Sequence, residues 1–230
     1  VNKNFVVIVA GGQGTRMGTA IPKQFLELCG KPILYHTVNA FHSALPEATL
    51  ILVLPEQQLS YAQMVLQSFP ERIDIQLVAG GETRFHSVQN GLNCIDKKDV
   101  NDNTIIFIHD GVRPLVSKKL IQKCLLQAQE KGSVIPAIAA TDSMRIMEND
   151  QTKVIDRNDV RLIQTPQTFR ASVLLPAMQQ PFQSNFTDEA SVVEANGGTI
   201  FLTEGEKENI KITTGTDMII AEALMNHRTL

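Results

Sequence analysis

FVVIVAGGQGTRMG, residues Phe5–Gly18, decides the fold. Phe5–Ala10 is apolar at every position, with no polar alternation. A strand reads this way when both of its faces are covered, as in a parallel sheet between two layers of helices. The glycines that follow (Gly11, Gly12, Gly14, Gly18) mark a tight turn into the next segment. Working outward, Thr49–Leu54, Ile73–Ala79, Thr104–Ile108 and Val134–Ala139 repeat the Val- and Ile-rich pattern. Between them, Pro32–Phe41, Gln57–Phe69, Arg84–Ile95 and Ser117–Lys131 carry apolar residues at helical spacing. Pro32 suits a first turn and Ser117 an N-cap. This alternation predicts an α/β fold: a mostly parallel sheet with right-handed crossovers and helices on both faces.

The pattern breaks at Thr141–Val160. Apolar residues there alternate (Met144, Ile146; Val154, Ile155) around the polar turn Glu148–Thr152, which predicts a two-stranded arm. An isolated hairpin is marginal in water, so residues 141–160 need a surface, on their own domain or on another chain. Helix and strand resume beyond the arm and end in a helix near Asp217–Asn226. No linker or low-complexity tract divides the chain, so residues 1–230 read as one domain with an inserted arm.

Composition narrows the function. With 43% hydrophobic and 20% charged residues the chain can build a core, which excludes a disordered protein. Twenty-one basic and 24 acidic residues leave a net charge of −3, and the pI is near 6.0. Nothing in that balance attracts nucleic acid or anionic lipid in general, so neither is an expected partner, and a phosphate ligand requires a local basic site. The longest apolar runs, such as Val6–Ala10 and Ile105–Ile108, are too short to span a bilayer. Cys29, Cys94 and Cys124 are odd in number and widely spaced, and no basic-then-apolar leader opens the sequence. A reduced, cytoplasmic protein without structural zinc is the expectation.

The glycine turn lies at the carboxyl edge of a strand, a favoured ligand position in open α/β sheets. Its backbone N–H groups, from Ala10 through Gly11, Gly12, Gln13 and Gly14, can face an anion. The Walker ending Gly-Lys-Ser/Thr is absent, and Met17 stands where a dinucleotide fingerprint needs its third glycine. Basic residues replace these features: Arg16 inside the loop, then Lys23 in Pro22-Lys23-Gln24. Together they predict a triphosphate-binding loop. A second glycine turn, Gly80-Gly81-Glu82-Thr83-Arg84, echoes the first and feeds a helix. It can press its backbone against a flat base, with Ser87 available as a hydrogen-bond partner.

Asp110, directly after the strand Thr104–Ile108, stands opposite the phosphate loop. It is the expected Mg²⁺ ligand, since magnesium commonly takes one or two carboxylates with phosphate oxygens and water. His109 reads as a packed residue, and no second His or Cys sits at zinc-ligand spacing. Arg157, on the returning half of the arm, suits phosphate recognition in trans because its fork matches phosphate oxygens. Thr187-Asp188-Glu189 reads as a helix start. Lys211, between Ile210 and Ile212, points away from both.

In this order GGxGxRMG, PKQF, GGxxRxxSV, HDxxRP, QTPQxF, TDEAS and NIKIT resemble the 2-C-methyl-D-erythritol 4-phosphate cytidylyltransferase family, from about Val6 to Glu222. The resemblance implies a Rossmann-like nucleotidyltransferase fold and a homodimer interlocked by exchanged arms. It implies transfer of CMP from CTP to 2-C-methyl-D-erythritol 4-phosphate, with Mg²⁺, in non-mevalonate isoprenoid synthesis. Gly81, Glu82 and Ser87 would line the cytidine site, with Gly111 near the nucleotide. Arg113, Thr165, Thr187 and Lys211 would meet the acceptor phosphate, joined by Ser143 and Arg157 of the arm. Ser143 stands where the family often has Thr and keeps the hydroxyl. The catalytic set is then Arg16, Lys23, Arg157 and Lys211. A ribitol-5-phosphate cytidylyltransferase shares the loops, but the Asp156-Arg157 arm and TDEAS favour the methylerythritol enzyme. A silent nucleotide-binding module would lack one of Arg16, Lys23 and Asp110, and all three are present.

Overall fold

The computed structural model describes residues 3–12, 21–71 and 73–228. β1 (Phe5–Val9) is buried throughout and divides its side chains between two cores. Phe5, Val7 and Val9 enter one, Val6 and Ile8 the other. Successive Cβ atoms point to opposite faces, so a strand covered on both sides is apolar at every position. Two short strands, β2 (Glu27–Leu28) and β3 (Lys31–Pro32), turn at Cys29 and Gly30, whose φ values are 48° and 81°. α1 (Ile33–Ala44) therefore begins one residue after Pro32, which is paired with Glu27. β4 (Thr49–Leu54), α2 (Leu59–Gln67), β5 (Ile75–Ala79) and α3 (Arg84–Asn93) follow. β6 (Ile105–Asp110) runs two residues past the expected Ile108, because His109 and Asp110 are buried and pair with Ile8 and Val9.

Strands β5, β4, β1 and β6 lie side by side and parallel. The chain winds outward from β1 through β4 to β5, then returns to the other side of β1 as β6. Where the winding reverses, a crevice opens at the carboxyl ends of the strands, the usual ligand position of open α/β sheets. Val9 and Asp110 are partners in the ladder, so β1 and β6 end together at that crevice.

α4 (Lys118–Lys131) is capped by Ser117, whose hydroxyl accepts from Leu120 N, and leads to β7 (Ser133–Ala139). The arm is present as β8 (Met144–Glu148) and β9 (Gln151–Ile155), which among the described strands pair only with each other. Asn149 and Asp150 form its two-residue turn with φ of 46° and 64°, the positive values that two-residue hairpin loops demand. Ile146, Met147 and Val154 on it are exposed.

The far half of the sheet departs from the parallel pattern. β10 (Arg161–Ile163) and β11 (Gln167–Arg170) both run antiparallel to β7, and β11 also pairs antiparallel with β6. Five steps separate Ile163 from Thr168 but only three separate their partners Ala137 and Val134, so two extra residues bulge out between the strands. The Thr165–Pro166 peptide, which is cis, lies in that bulge. α5 (Ala171–Ala177) and α6 (Glu189–Ala195) join α3 on one face, and α1, α2 and α4 cover the other. β12 (Leu202–Glu204) pairs parallel with β7, and α7 (Gly215–Arg228) packs in a third, smaller core with Val112 and Ile212. No described helix is long and apolar enough to cross a membrane.

Candidate active site

A cleft of about 650 Å³ opens over the ends of β1 and β6. Ala10, Gly11, Gly12 and Lys23 form one wall, Gly80–Arg84 another, and Asp110 and Lys211 lie between them. A Cβ on Gly111 would sit 2.7 Å from Ala10 Cβ and 3.3 Å from Val9 O. Glycine is what lets the two loops meet at the strand ends. Gln13, Gly14 and Arg16 lie outside the described residues, so of the expected clamp it is Lys23 whose position is given.

Lys23 is buried and runs beside Gly12, where an added Cβ would lie 3.5 Å from Lys23 Cε. Its ammonium donates to Ile212 O at 3.0 Å. Gln24 is fully buried next to it and donates to Ala10 O at 2.9 Å and Gln58 Oε1 at 2.5 Å, tying the connection to the end of β1. The Pro22-Lys23-Gln24 segment thus fixes the Lys23 stem and the floor of the glycine turn together.

Three cations surround Asp110. Arg113 Nε and Lys211 Nζ approach Oδ2 at 3.2 and 3.1 Å, and Arg84 Nε stands 3.6 Å from Oδ1. Burial alone pulls the Asp110 carboxyl upward, but Arg84, Lys211 and Arg113 outweigh it and hold the group far below the usual carboxylate range. It is ionised at neutral pH. Among the described residues no group of three or more His, Cys, Asp or Glu could hold a metal. What the site offers a hard cation is one ionised carboxylate on the cleft wall, with Oδ1 making no hydrogen bond among the described residues. That suits magnesium carried in on phosphate oxygens, which completes its shell from ligand and water.

Behind Asp110 runs a chain of hydrogen bonds. Asp110 N donates to Thr165 Oγ1 at 3.1 Å, and that hydroxyl is 3.0 Å from His109 Nδ1. His109 Nε2 is 3.2 Å from Arg113 O, which can only accept. The ring is therefore the Nε2–H tautomer, and Thr165 donates to Nδ1. Burial pushes His109 down to about 3, so the ring is neutral, as a packed residue should be. The bulge between β10 and β11 is what carries Thr165 into this position. Arg113 is likewise turned inward, donating to Asn209 O at 2.8 Å. Thr165 and Arg113, both expected at the acceptor phosphate, have their polar atoms engaged with His109, Asp110 and Asn209.

The second glycine turn is built on α3. Thr83 caps the helix, accepting from His86 N. Ser87 Oγ accepts from Gly81 N at 3.1 Å and donates to Thr83 O at 2.9 Å, so its hydroxyl pins the turn. A Cβ on Gly81 would fall 2.4 Å from His86 Cβ, which only glycine avoids. Glu82 is exposed at the rim. Lys211 is the most accessible of the cations on Asp110, with 42% of its side chain exposed against 11% for Arg113.

Residues of the arm are not brought to this cleft within the chain. Arg157 is exposed and donates to Thr141 O at 2.9 Å, and Ser143 is exposed at the arm's root. Thr187 is exposed just before α6 and does not line the cleft. Two participants lie in the quoted motifs without a role being read for them. Arg84 lines the cleft and bonds Glu189, which is almost wholly buried. In the sequence it is the arginine of GGxxRxxSV and echoes the arginine after the first glycine turn, but neither signal gives it a role. Gln167 is the other: it accepts from Ala190 N and donates to Asp188 at 2.8 Å, locking the start of α6.

An open sheet that presents glycine turns and basic side chains around one carboxylate at its switch point is the architecture of a Rossmann-like nucleotidyltransferase. The family model for 2-C-methyl-D-erythritol 4-phosphate cytidylyltransferase matches residues 4–227. A protein of that name from Bacteroides fragilis is 45% identical over 219 residues, covering 95% of this chain and 98% of the relative. One from Azobacteroides pseudotrichonymphae is 44% identical over 227 residues, covering 98% of this chain and all (100%) of the relative. The solved structure of 4-diphosphocytidyl-2C-methyl-D-erythritol synthase from Anaerococcus prevotii superposes with a TM-score of 0.81 at 27% identity, covering 97% of this chain and 96% of that one. The chain belongs to the 2-C-methyl-D-erythritol 4-phosphate cytidylyltransferase family.

Proposed function

We propose that the protein transfers CMP from CTP to 2-C-methyl-D-erythritol 4-phosphate, giving 4-diphosphocytidyl-2-C-methyl-D-erythritol and pyrophosphate. The observation that carries this reading is the end-to-end match to relatives of that name, at 45% identity over 95% of the chain. In the step itself, an acceptor phosphate oxygen bonds to the α-phosphorus as the bond to the β-phosphate's bridging oxygen breaks, and pyrophosphate leaves. The acceptor is a phosphate monoester with a second pKa near ~6, so at neutral pH it is already mostly dianionic and needs no general base. The neutral, buried His109 fits a reaction without one.

The obstacle is electrostatic, since one anion must approach another, and catalysis rests on alignment and charge neutralisation. Lys23 and Arg16 neutralise the triphosphate and the departing pyrophosphate. Gly81, Glu82 and Ser87 shape the turn that faces the base. Lys211, the most accessible cation on Asp110, is the one able to leave it for an incoming phosphate. Asp110 Oδ1 would hold Mg²⁺, which supplies positive charge to the phosphate oxygens when bound. Arms exchanged in a homodimer would cover their exposed apolar residues and bring Arg157 of the partner subunit, with Ser143 of the partner subunit, to the acceptor. Three unpaired cysteines support a reducing, cytoplasmic location. Pyrophosphate release should require CTP, Mg²⁺ and the methylerythritol phosphate. Equal release with ribitol 5-phosphate would overturn the acceptor assignment.

A further inference from the structure

Arg84 opens α3 directly after the second glycine turn, and its guanidinium reaches two carboxylates from distant parts of the chain. Nη1 bonds Glu189 Oε1 at the start of α6, and Nε faces Asp110 Oδ1 at 3.6 Å. Glu189 is 2% exposed, and its Oε2 has no hydrogen-bond partner among the described residues. A buried carboxylate is tolerated only when paired, so Glu189 holds Arg84 in place as much as Arg84 neutralises Glu189. A planar guanidinium can serve two carboxylates at once from a fixed plane, whereas an ammonium is a single point of charge. Oδ1 is also the Asp110 oxygen that the described residues leave without a hydrogen bond, and Arg84 is the cation facing it.

We propose that Arg84 is a positioning residue of the transfer reaction: braced by Glu189, it fixes the aim of the Asp110 carboxylate toward the cleft. It also links the nucleotide turn at the head of α3 to the head of α6. The inference deepens the function proposed above and rests on that assignment of Asp110.

The test separates aiming from folding. Arg84→Met leaves the buried Glu189 carboxyl without its cation, so both Tm and activity should fall. Adding Glu189→Gln removes that carboxyl, and the double variant should recover Tm. Its kcat/KM should stay roughly 10–100-fold below native, the usual loss when a partner that orients a metal-binding carboxylate is removed. The Mg²⁺ concentration for half-maximal rate, and Mn²⁺ binding to the CTP-loaded protein read by electron paramagnetic resonance, should shift in the same direction. Arg84→Lys supplies a folded control that keeps the charge: near-native Tm with a marked loss of kcat/KM is expected. Recovery of native kcat/KM together with Tm in the double variant, or full activity in Arg84→Lys, overturns the proposal. A native enzyme indifferent to Mg²⁺ would remove the metal assignment instead, leaving the split between Tm and kcat/KM to decide Arg84.

Discussion

Thr165→Val separates two parts that this side chain could play. Its hydroxyl accepts Asp110 N–H at 3.1 Å and donates to His109 Nδ1 at 3.0 Å, and all three residues are buried. Valine keeps the shape but leaves both partners unsatisfied. Each such group costs about 1–3 kcal/mol, so the pair costs roughly 2–6 kcal/mol, with about 3 kcal/mol a reasonable working value. For a domain of this size about 1 kcal/mol moves Tm by roughly 2–4 °C, so Tm should fall by roughly 6–12 °C. Scanning calorimetry reads the shift, and Thr165→Ser should restore most of it by returning the hydroxyl. Steady-state kinetics complete the test: kcat should fall as Asp110 loses its backbone anchor. An unchanged Tm in Thr165→Val with a rise confined to the acceptor's KM would refute the reasoning, because the hydroxyl would then serve the acceptor phosphate directly.

Lys23→Ala should lower kcat by roughly 10²–10³, the usual effect of losing one transition-state donor, and a change confined to KM would reassign Lys23 to ground-state binding. His109 sits at about 3 in the fold, against about 6.5 for a free imidazole. The unfolded chain therefore takes up the proton first as pH drops, and stability should fall between those values. The decline of Tm from about pH 6.5 to pH 4 should be shallower in His109→Gln, and equal slopes would exonerate the ring. Mixing inactive Arg157→Ala and Lys23→Ala subunits should return about half of native activity per heterodimer, since one of its two sites is then intact. No recovery despite proven subunit exchange would place Arg157 in its own chain's site.

The parallel half of the fold is legible because β1, β4 and β6 are buried on both faces, which leaves an unbroken apolar signature in the sequence. Arg161–Ile163 carries no such signature: the strand is three residues long and exposed, and its continuation is interrupted by the bulge at Thr165–Pro166. The glycine turns, Lys23 and Asp110 are legible because their residue types and their place after a strand point to phosphate chemistry. The Arg84–Glu189 pair is not, since 105 residues separate its members and only the return of α6 to the face of α3 joins them. Thr165 and Arg113 show the converse. Their motif marks them as part of the site, but burial and bonding geometry decide which way their polar atoms face.

The most direct test of the central claim follows the phosphorus atoms. With CTP labelled at the α-phosphate, the label should move into the methylerythritol product in step with loss of CTP. With CTP labelled at the γ-phosphate, it should appear only in pyrophosphate. Label from the γ-position in the alcohol phosphate, or no transfer from the α-position with Mg²⁺ and both substrates present, would contradict cytidylyl transfer.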